Sequence, residues 1–136
     1  MTQRRSATII LLTLAGALCP AQSPATQPET VLVTLRAKPG AEAALQEVLA
    51  RHWSTARALN LVREEPHVTL RSAEPGNKTT FVDIFTWRDG DVPDHAPAAI
   101  RAIWDEMNRL VEARAGRPGL EFQAVSIVAP SSGATR

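Results

Sequence analysis

The sequence has very little cysteine, and where that cysteine lies limits the chemistry open to the protein. Cys19 is the only cysteine among 136 residues. It follows the basic pair Arg4-Arg5 and the apolar run of residues 9–18, an order that is typical of a secretory signal peptide. Because small residues precede the bond after Ala21, we expect cleavage there. The mature chain would then have no thiol, which excludes disulfides, thiolate nucleophiles and thiolate metal ligands.

The sequence also lacks an excess of charge of one sign and a long hydrophobic run. Fifteen basic and 14 acidic side chains give a net charge of +1, which disfavours binding to nucleic acid or to an anionic membrane. The N-terminal apolar run is too short to cross a hydrocarbon core of roughly 30 Å. We therefore expect an exported protein, periplasmic or secreted, with no membrane span after cleavage. A lipoprotein attached through Cys19 is the less favoured alternative, because the bulky Leu18 precedes that cysteine.

Several motifs that carry chemistry are missing as well. The three histidines are far apart, and no two of them have the four-residue spacing of a helical metal site. There is no glycine-rich phosphate loop, and no serine stands in a nucleophile elbow. The sequence therefore predicts no metal site, and it disfavours hydrolase and nucleotide chemistry.

The hydrophobic pattern predicts one domain over residues 30–128, after a signal peptide (1–21) and a proline-containing spacer (22–29) and before a flexible tail (129–136). Alternating apolar residues favour strands, and apolar residues three and four positions apart favour helices. A turn at 74–77 should join two strands into a hairpin, and Asp94 should cap the second helix. The predicted elements are strands at 30–38, 66–72, 79–87 and 120–128 and helices at 41–59 and 94–115.

The predicted order is β-α-β-β-α-β, which indicates an α+β, ferredoxin-like fold with a four-stranded antiparallel sheet and two helices on one face. We expect Val31, Val33 and Leu35 on one face of the sheet. The obvious register would put Phe81, Phe85, Trp87, Asp83, Arg36 and Arg71 on the other. An open face with three large aromatic residues should be covered by a second copy, as a homodimer. We expect Asp83 to pair with Arg36 or Arg71 in that dimer interface.

The element order, the hairpin "EPHVTLRSAEPGNKTTFVDIFTW" and the spacing from Trp87 to His95 resemble the antibiotic biosynthesis monooxygenase (ABM) family over about residues 30–128. The resemblance implies a dimeric α+β barrel with a pocket between the sheet and the helices. It also implies oxidation of electron-rich aromatic substrates without a metal or flavin, and hence no cofactor. A related branch degrades haem with an asparagine, a tryptophan and a histidine. Trp87 and His95 come near two of these, but Val33 or Thr34 stands where the asparagine is expected.

The candidate site residues follow from these patterns. His95 at a helix start should be neutral and could accept a substrate proton, so it is the expected catalytic residue. Trp87, Trp104, Trp53 and His52 are the expected pocket residues, although each could also be a core residue. The leading hypothesis is cofactor-independent oxygenation of a flat aromatic substrate. The alternative is a non-catalytic, dimeric periplasmic module that binds a small hydrophobic ligand.

Overall fold

The structure is a computed structural model that describes residues 27–128, so the predicted signal peptide, most of the spacer and the tail lie outside the described residues. Four strands, two α-helices and one short 3-10 turn follow one another in the predicted order. They are β1 (Glu29–Arg36), α1 (Glu42–Ala58), β2 (Val62–Glu74), β3 (Lys78–Trp87), the 3-10 turn (Val92–His95), α2 (Ala98–Leu110) and β4 (Leu120–Ala124).

The strands form one antiparallel sheet with the order β2-β3-β1-β4. The two helices bury their apolar stripes in the same core as alternate residues of β1 and β3. This confirms the predicted ferredoxin-like α+β fold. In the part of the chain that the structure describes, no helix is long and apolar enough to cross a membrane.

The strands do not pair in the obvious register, so the two faces of the sheet are composed differently. Val31 lies opposite Phe85 and Leu35 lies opposite Phe81, so the aliphatic residues of β1 share a face with the aromatic residues of β3. This face packs against the helices, and Trp87 is only 1% exposed. Alternation within a strand defines two sets of side chains, but the pairing offset between strands decides which sets combine.

The other face of the sheet, which we call the open face, carries five aliphatic side chains. Val68 and Leu70 are 43% and 52% exposed, and the remaining three are half-buried. The open face is therefore apolar, as predicted, but with a different set of residues. Its aliphatic members are Leu32, Val68, Leu70, Val82 and Ile84.

Within residues 27–128 of the single chain, Asp83 forms no ion pair with Arg36 or Arg71. Arg36 lies on the open face and is buried by its own contacts, with its guanidinium 2.6 Å from both the Glu121 carboxylate and the Pro118 carbonyl oxygen. Asp83 and Arg71 project from the helix-covered face. Of the three residues predicted for a dimer interface, Arg36 is thus the one on the open face.

The second helix differs from the prediction at both ends. Asp94 lies in the 3-10 turn and caps nothing, because α2 begins at Ala98 after Pro97. The helix ends at Leu110, five residues early, because Val111 is extended and forms a bridge with Ala37. Backbone hydrogen bonds to the end of β1 replace the last predicted helical turn.

Candidate functional site

His95, the expected catalytic residue, lies at the end of the 3-10 turn. Its side chain is exposed, and it is not among the residues that line the two cavities described below. His95 therefore does not line a cavity together with Trp87 and Trp104. The three predicted tryptophans are divided between two separate cavities, and both cavities lie on the helix-covered side of the sheet.

The first, which we call the tryptophan cavity, has a volume of about 390 Å³ and lies beside α2 and β4. The ring planes of Trp87 and Trp104 meet at 81°, with their centroids 6.2 Å apart. Phe122 of β4 continues this wall, 6.5 Å from Trp104. The lining residues are Glu29, Val31, Trp87, Pro93, Trp104, Asn108, Leu120, Phe122 and Ala124.

His52 lies behind Trp104 and does not line either cavity. It is 4% exposed, and its Nε2 accepts a hydrogen bond of 3.1 Å from the indole Nε1–H of Trp104. Burial, and secondly the nearby His67, lower the pKa of His52 from 6.5 to about 4. The imidazole is therefore neutral at neutral pH. Since Nε2 is the acceptor, its proton is on Nδ1, and the ring serves to hold Trp104 in place.

The second, which we call the histidine cavity, has a volume of about 590 Å³ and lies between α1 and β2. Trp53 of α1 stacks on the ring of His67, with centroids 3.7 Å apart and planes within 12°. Polar groups make up a larger part of the lining here than in the tryptophan cavity. The lining residues are Gln46, Leu49, Ala50, Trp53, His67, Thr69, Leu70, Arg71 and Phe81.

A buried carboxylate lies next to His67 in the histidine cavity. Asp83 is 1% exposed, its Oδ1 is 3.2 Å from His67 Nε2, and it accepts a hydrogen bond of 2.7 Å from the Thr69 hydroxyl. Burial raises the pKa of Asp83, whereas the Thr69 hydrogen bond and His67 act in the opposite direction. With Nε2 turned toward Asp83, Nδ1 is the ring atom available to accept a proton. This is a candidate general base with an orienting partner.

Sequence reasoning missed this pair. His67 was not among the expected site residues, and Asp83 was expected at the dimer interface. The residues meet because Thr69 lies directly opposite Asp83 in the β2–β3 pairing, with His67 two positions away on the same face. His67 and Thr69 are two positions apart in one predicted strand, and Asp83 lies in the middle of the next. This spacing could have indicated the cluster, but only for a known register of the hairpin.

Arg71 adds a positive charge to the same cavity. Its side chain is exposed, and its guanidinium carbon lies 5.9 Å from the centroid of the Phe81 ring. Within residues 27–128, no carboxylate forms a salt bridge with Arg71. The guanidinium is therefore available to an anion that enters the cavity.

Among the residues that the structure describes, no group of three or more histidine, aspartate or glutamate side chains is placed to hold a metal ion. His67, Asp83 and Thr69 supply a base, a carboxylate and a hydroxyl. This set suits proton transfer to and from an organic substrate.

Known proteins resemble this chain in structure but not closely in sequence. No protein-family model matches the chain, and no curated protein matches it. The structure of Rv0793 from Mycobacterium tuberculosis is 14% identical, covers 78% of this chain and 100% of its own, and superposes with a TM-score of 0.54. A protein from Caulobacter crescentus, named a "putative antibiotic biosynthesis monooxygenase", is 16% identical over 76% of this chain and 93% of its own, with a TM-score of 0.49. The chain therefore shares the α+β fold of the Mycobacterium tuberculosis structure.

Proposed function

We propose that the protein is a cofactor-independent monooxygenase of the ABM type that acts on a flat aromatic substrate in the histidine cavity. The observation that carries the proposal is the His67–Asp83 pair beside a cavity with an aromatic wall. A buried carboxylate next to an imidazole fixes the orientation of the ring and stabilises the imidazolium that forms when the ring accepts a proton. In this proposal His67 takes the role that the sequence suggested for His95.

The cavity can also hold the substrate and its anion. A flat ring would lie along the aromatic surface made by Trp53 and Phe81. Deprotonation of the substrate creates a negative charge, and the Arg71 guanidinium at the cavity stabilises that charge. Because the anion is formed next to a cation, the proton transfer from the substrate to His67 becomes less costly.

The proposed reaction needs molecular oxygen as its only co-substrate. His67 removes a proton from an activated CH₂ group of the substrate, and the carbanion transfers electrons to O₂ and forms a C–O bond. The peroxide takes the proton back from His67. Loss of the second C–H proton then breaks the O–O bond, so that CH₂ and O₂ become a carbonyl group and one molecule of water. The four electrons that O₂ accepts all come from the substrate.

The proposal includes a homodimer formed through the open face. Five aliphatic side chains, two of them about half exposed, make an apolar surface with few charges. A second copy of this chain presents the same surface, and sheet-to-sheet packing would bury both. Arg36 lies at the end of this face and would be near the interface.

Export is the remaining part of the proposal, supported by the N-terminal sequence pattern. We expect the exported protein to begin at Gln22, with a mass that corresponds to the unmodified chain. Intact mass spectrometry of the protein from its native host tests this. A chain that begins at a diacylated Cys19 would instead establish the lipoprotein alternative.

Oxygen uptake by the purified protein, measured with a panel of anthrones, hydroquinones and haem, tests the reaction. Asp83→Asn keeps the size of the side chain and the acceptor for Thr69 but removes the charge that stabilises the imidazolium. We expect it to lower kcat by about 10²-fold, while Asp105→Asn, at an exposed position of α2, leaves kcat unchanged. Absence of uptake with every substrate, in a protein shown to be a folded dimer, would contradict the oxygenase and favour the non-catalytic binding module.

A further inference from the structure

The tryptophan cavity takes no part in the proposed reaction, yet it is built from aromatic rings set at steep angles. Trp87 and Trp104 meet at 81°, and Trp104 and Phe122 meet at 66°. Trp104 is held in this position by its hydrogen bond to the buried His52. Trp104, anchored from behind, and Phe122 form two inclined aromatic walls of the cavity, and Trp87, which is 1% exposed, contributes to the lining from the core.

The cavity also contains one acidic side chain and no basic one. Glu29 lies directly opposite Trp87 in the β1–β3 pairing, so the two side chains are neighbours on the same face, with Cβ atoms about 5 Å apart. Among the residues 27–128, no cationic group forms a salt bridge with Glu29. Asn108 is the other polar residue of the lining. The charge in this cavity is therefore negative, opposite to that of the histidine cavity.

Aromatic rings with a carboxylate have a defined ligand chemistry. The faces of tryptophan and phenylalanine rings attract cations through the ring quadrupole, and methylated ammonium groups fit best because they are weakly hydrated. A carboxylate beside the rings adds a direct charge interaction. A neutral aromatic ligand would gain nothing from Glu29, and an anion would be repelled by it.

We propose that the tryptophan cavity binds a small organic cation with a methylated ammonium group. The volume of about 390 Å³ is enough for a ligand of this size. Phe122 is 55% exposed at the cavity rim, so it can contact a ligand that enters from solvent. This site is independent of the proposed oxygenase reaction, because it shares no lining residue with the histidine cavity.

The experiment compares choline with its uncharged isostere 3,3-dimethylbutan-1-ol by isothermal titration calorimetry on the purified protein. The two ligands have the same shape, and only choline carries the charge. We expect choline to bind at least tenfold more tightly. Equal affinity would overturn the proposal, since the cavity would then be a site for apolar ligands, and so would the absence of choline binding.

Two variants link the binding to the named residues. Phe122→Leu keeps an apolar side chain at an exposed position and should lower the affinity for choline about fivefold. Phe122→Tyr keeps an aromatic ring and should bind choline as tightly as the wild-type protein. Glu29→Gln should lower the affinity for choline about tenfold and leave the affinity for the neutral isostere unchanged. Glu47→Gln, at an exposed position of α1, should change neither affinity. Unchanged choline binding in Glu29→Gln and Phe122→Leu would refute the assignment. His67→Gln should leave choline binding intact, which separates this test from that of the reaction.

Discussion

His52 should make the folded protein sensitive to mild acid. Its pKa is lowered from 6.5 to about 4 because the ring is buried among Phe85, Trp87 and Trp104. The unfolded chain therefore takes up a proton at a pH at which the folded chain does not. The neutral ring contributes stability that is complete above pH 6.5 and is lost as the pH falls toward 4. The whole contribution is about 3 kcal/mol, of which about 2 kcal/mol is lost by pH 5.

The replacement His52→Gln isolates this contribution. A glutamine side chain can still accept the hydrogen bond from the Trp104 indole, but it does not titrate. Other groups also respond to acid. Asp83 has a raised pKa, so its protonation favours folding at low pH, and Glu74 and Glu121 have lowered pKa values, so their protonation disfavours folding below about pH 4.5. These groups are the same in both proteins and cancel in the comparison.

Urea unfolding at a series of pH values from 7.5 to 4.5, followed by tryptophan fluorescence, measures the free energy of unfolding of both proteins. We expect the wild-type protein to lose about 2 kcal/mol more than His52→Gln between pH 7 and pH 5. Parallel curves for the two proteins over this range would refute the reasoning, because His52 would then have the same pKa in the folded and unfolded chains.

Two further predictions concern assembly and stability. Val68→Lys, at a 43% exposed position of the open face, should give a monomer in analytical ultracentrifugation. Leu59→Lys, at an equally exposed position after α1, is the control and should leave the proposed dimer intact. A dimer in both variants would contradict an interface through the open face. Arg114→Met should lower the free energy of unfolding by about 1–2 kcal/mol, because it removes a guanidinium, on a side chain only 10% exposed, that donates a 2.8 Å hydrogen bond to the Ala37 carbonyl oxygen. Arg63→Met, at an exposed position of β2, is its control and should change stability little.

The fold could be predicted from the sequence because each element has a local signal. The apolar alternation in β1 and β3 and the helical spacing in α1 do not depend on the rest of the chain. The end of α2 could not be predicted, since Val111 leaves the helix to bridge Ala37, a residue 74 positions earlier in the chain. That contact depends on where the end of the central strand β1 lies relative to α2, and not on the sequence around the helix end.

The candidate site was predicted less well, for the same physical reason. Trp87, Trp104, Trp53 and His52 were expected in one pocket. Trp87 and Trp104 line one cavity, whereas Trp53 lines the other and His52 lines neither of the two. The pairing of His67 with Asp83 depends on the register of the β2–β3 hairpin. A shift of one residue in that register would place the two side chains on opposite faces of the sheet. His95 had an apparent signal, a histidine next to Asp94 at a predicted helix start, but the helix begins later and leaves the side chain exposed.

The most direct test of the proposed site compares His67→Gln with His95→Gln in the oxygen-uptake assay, using the substrate that gives the fastest turnover with the wild-type protein. If His67 is the base beside Asp83, His67→Gln should lower kcat by about 10²-fold or more, with KM little changed. His95→Gln should then retain wild-type kcat, because that side chain is exposed and outside the histidine cavity. Full activity in His67→Gln, with loss of activity in His95→Gln, would contradict the account.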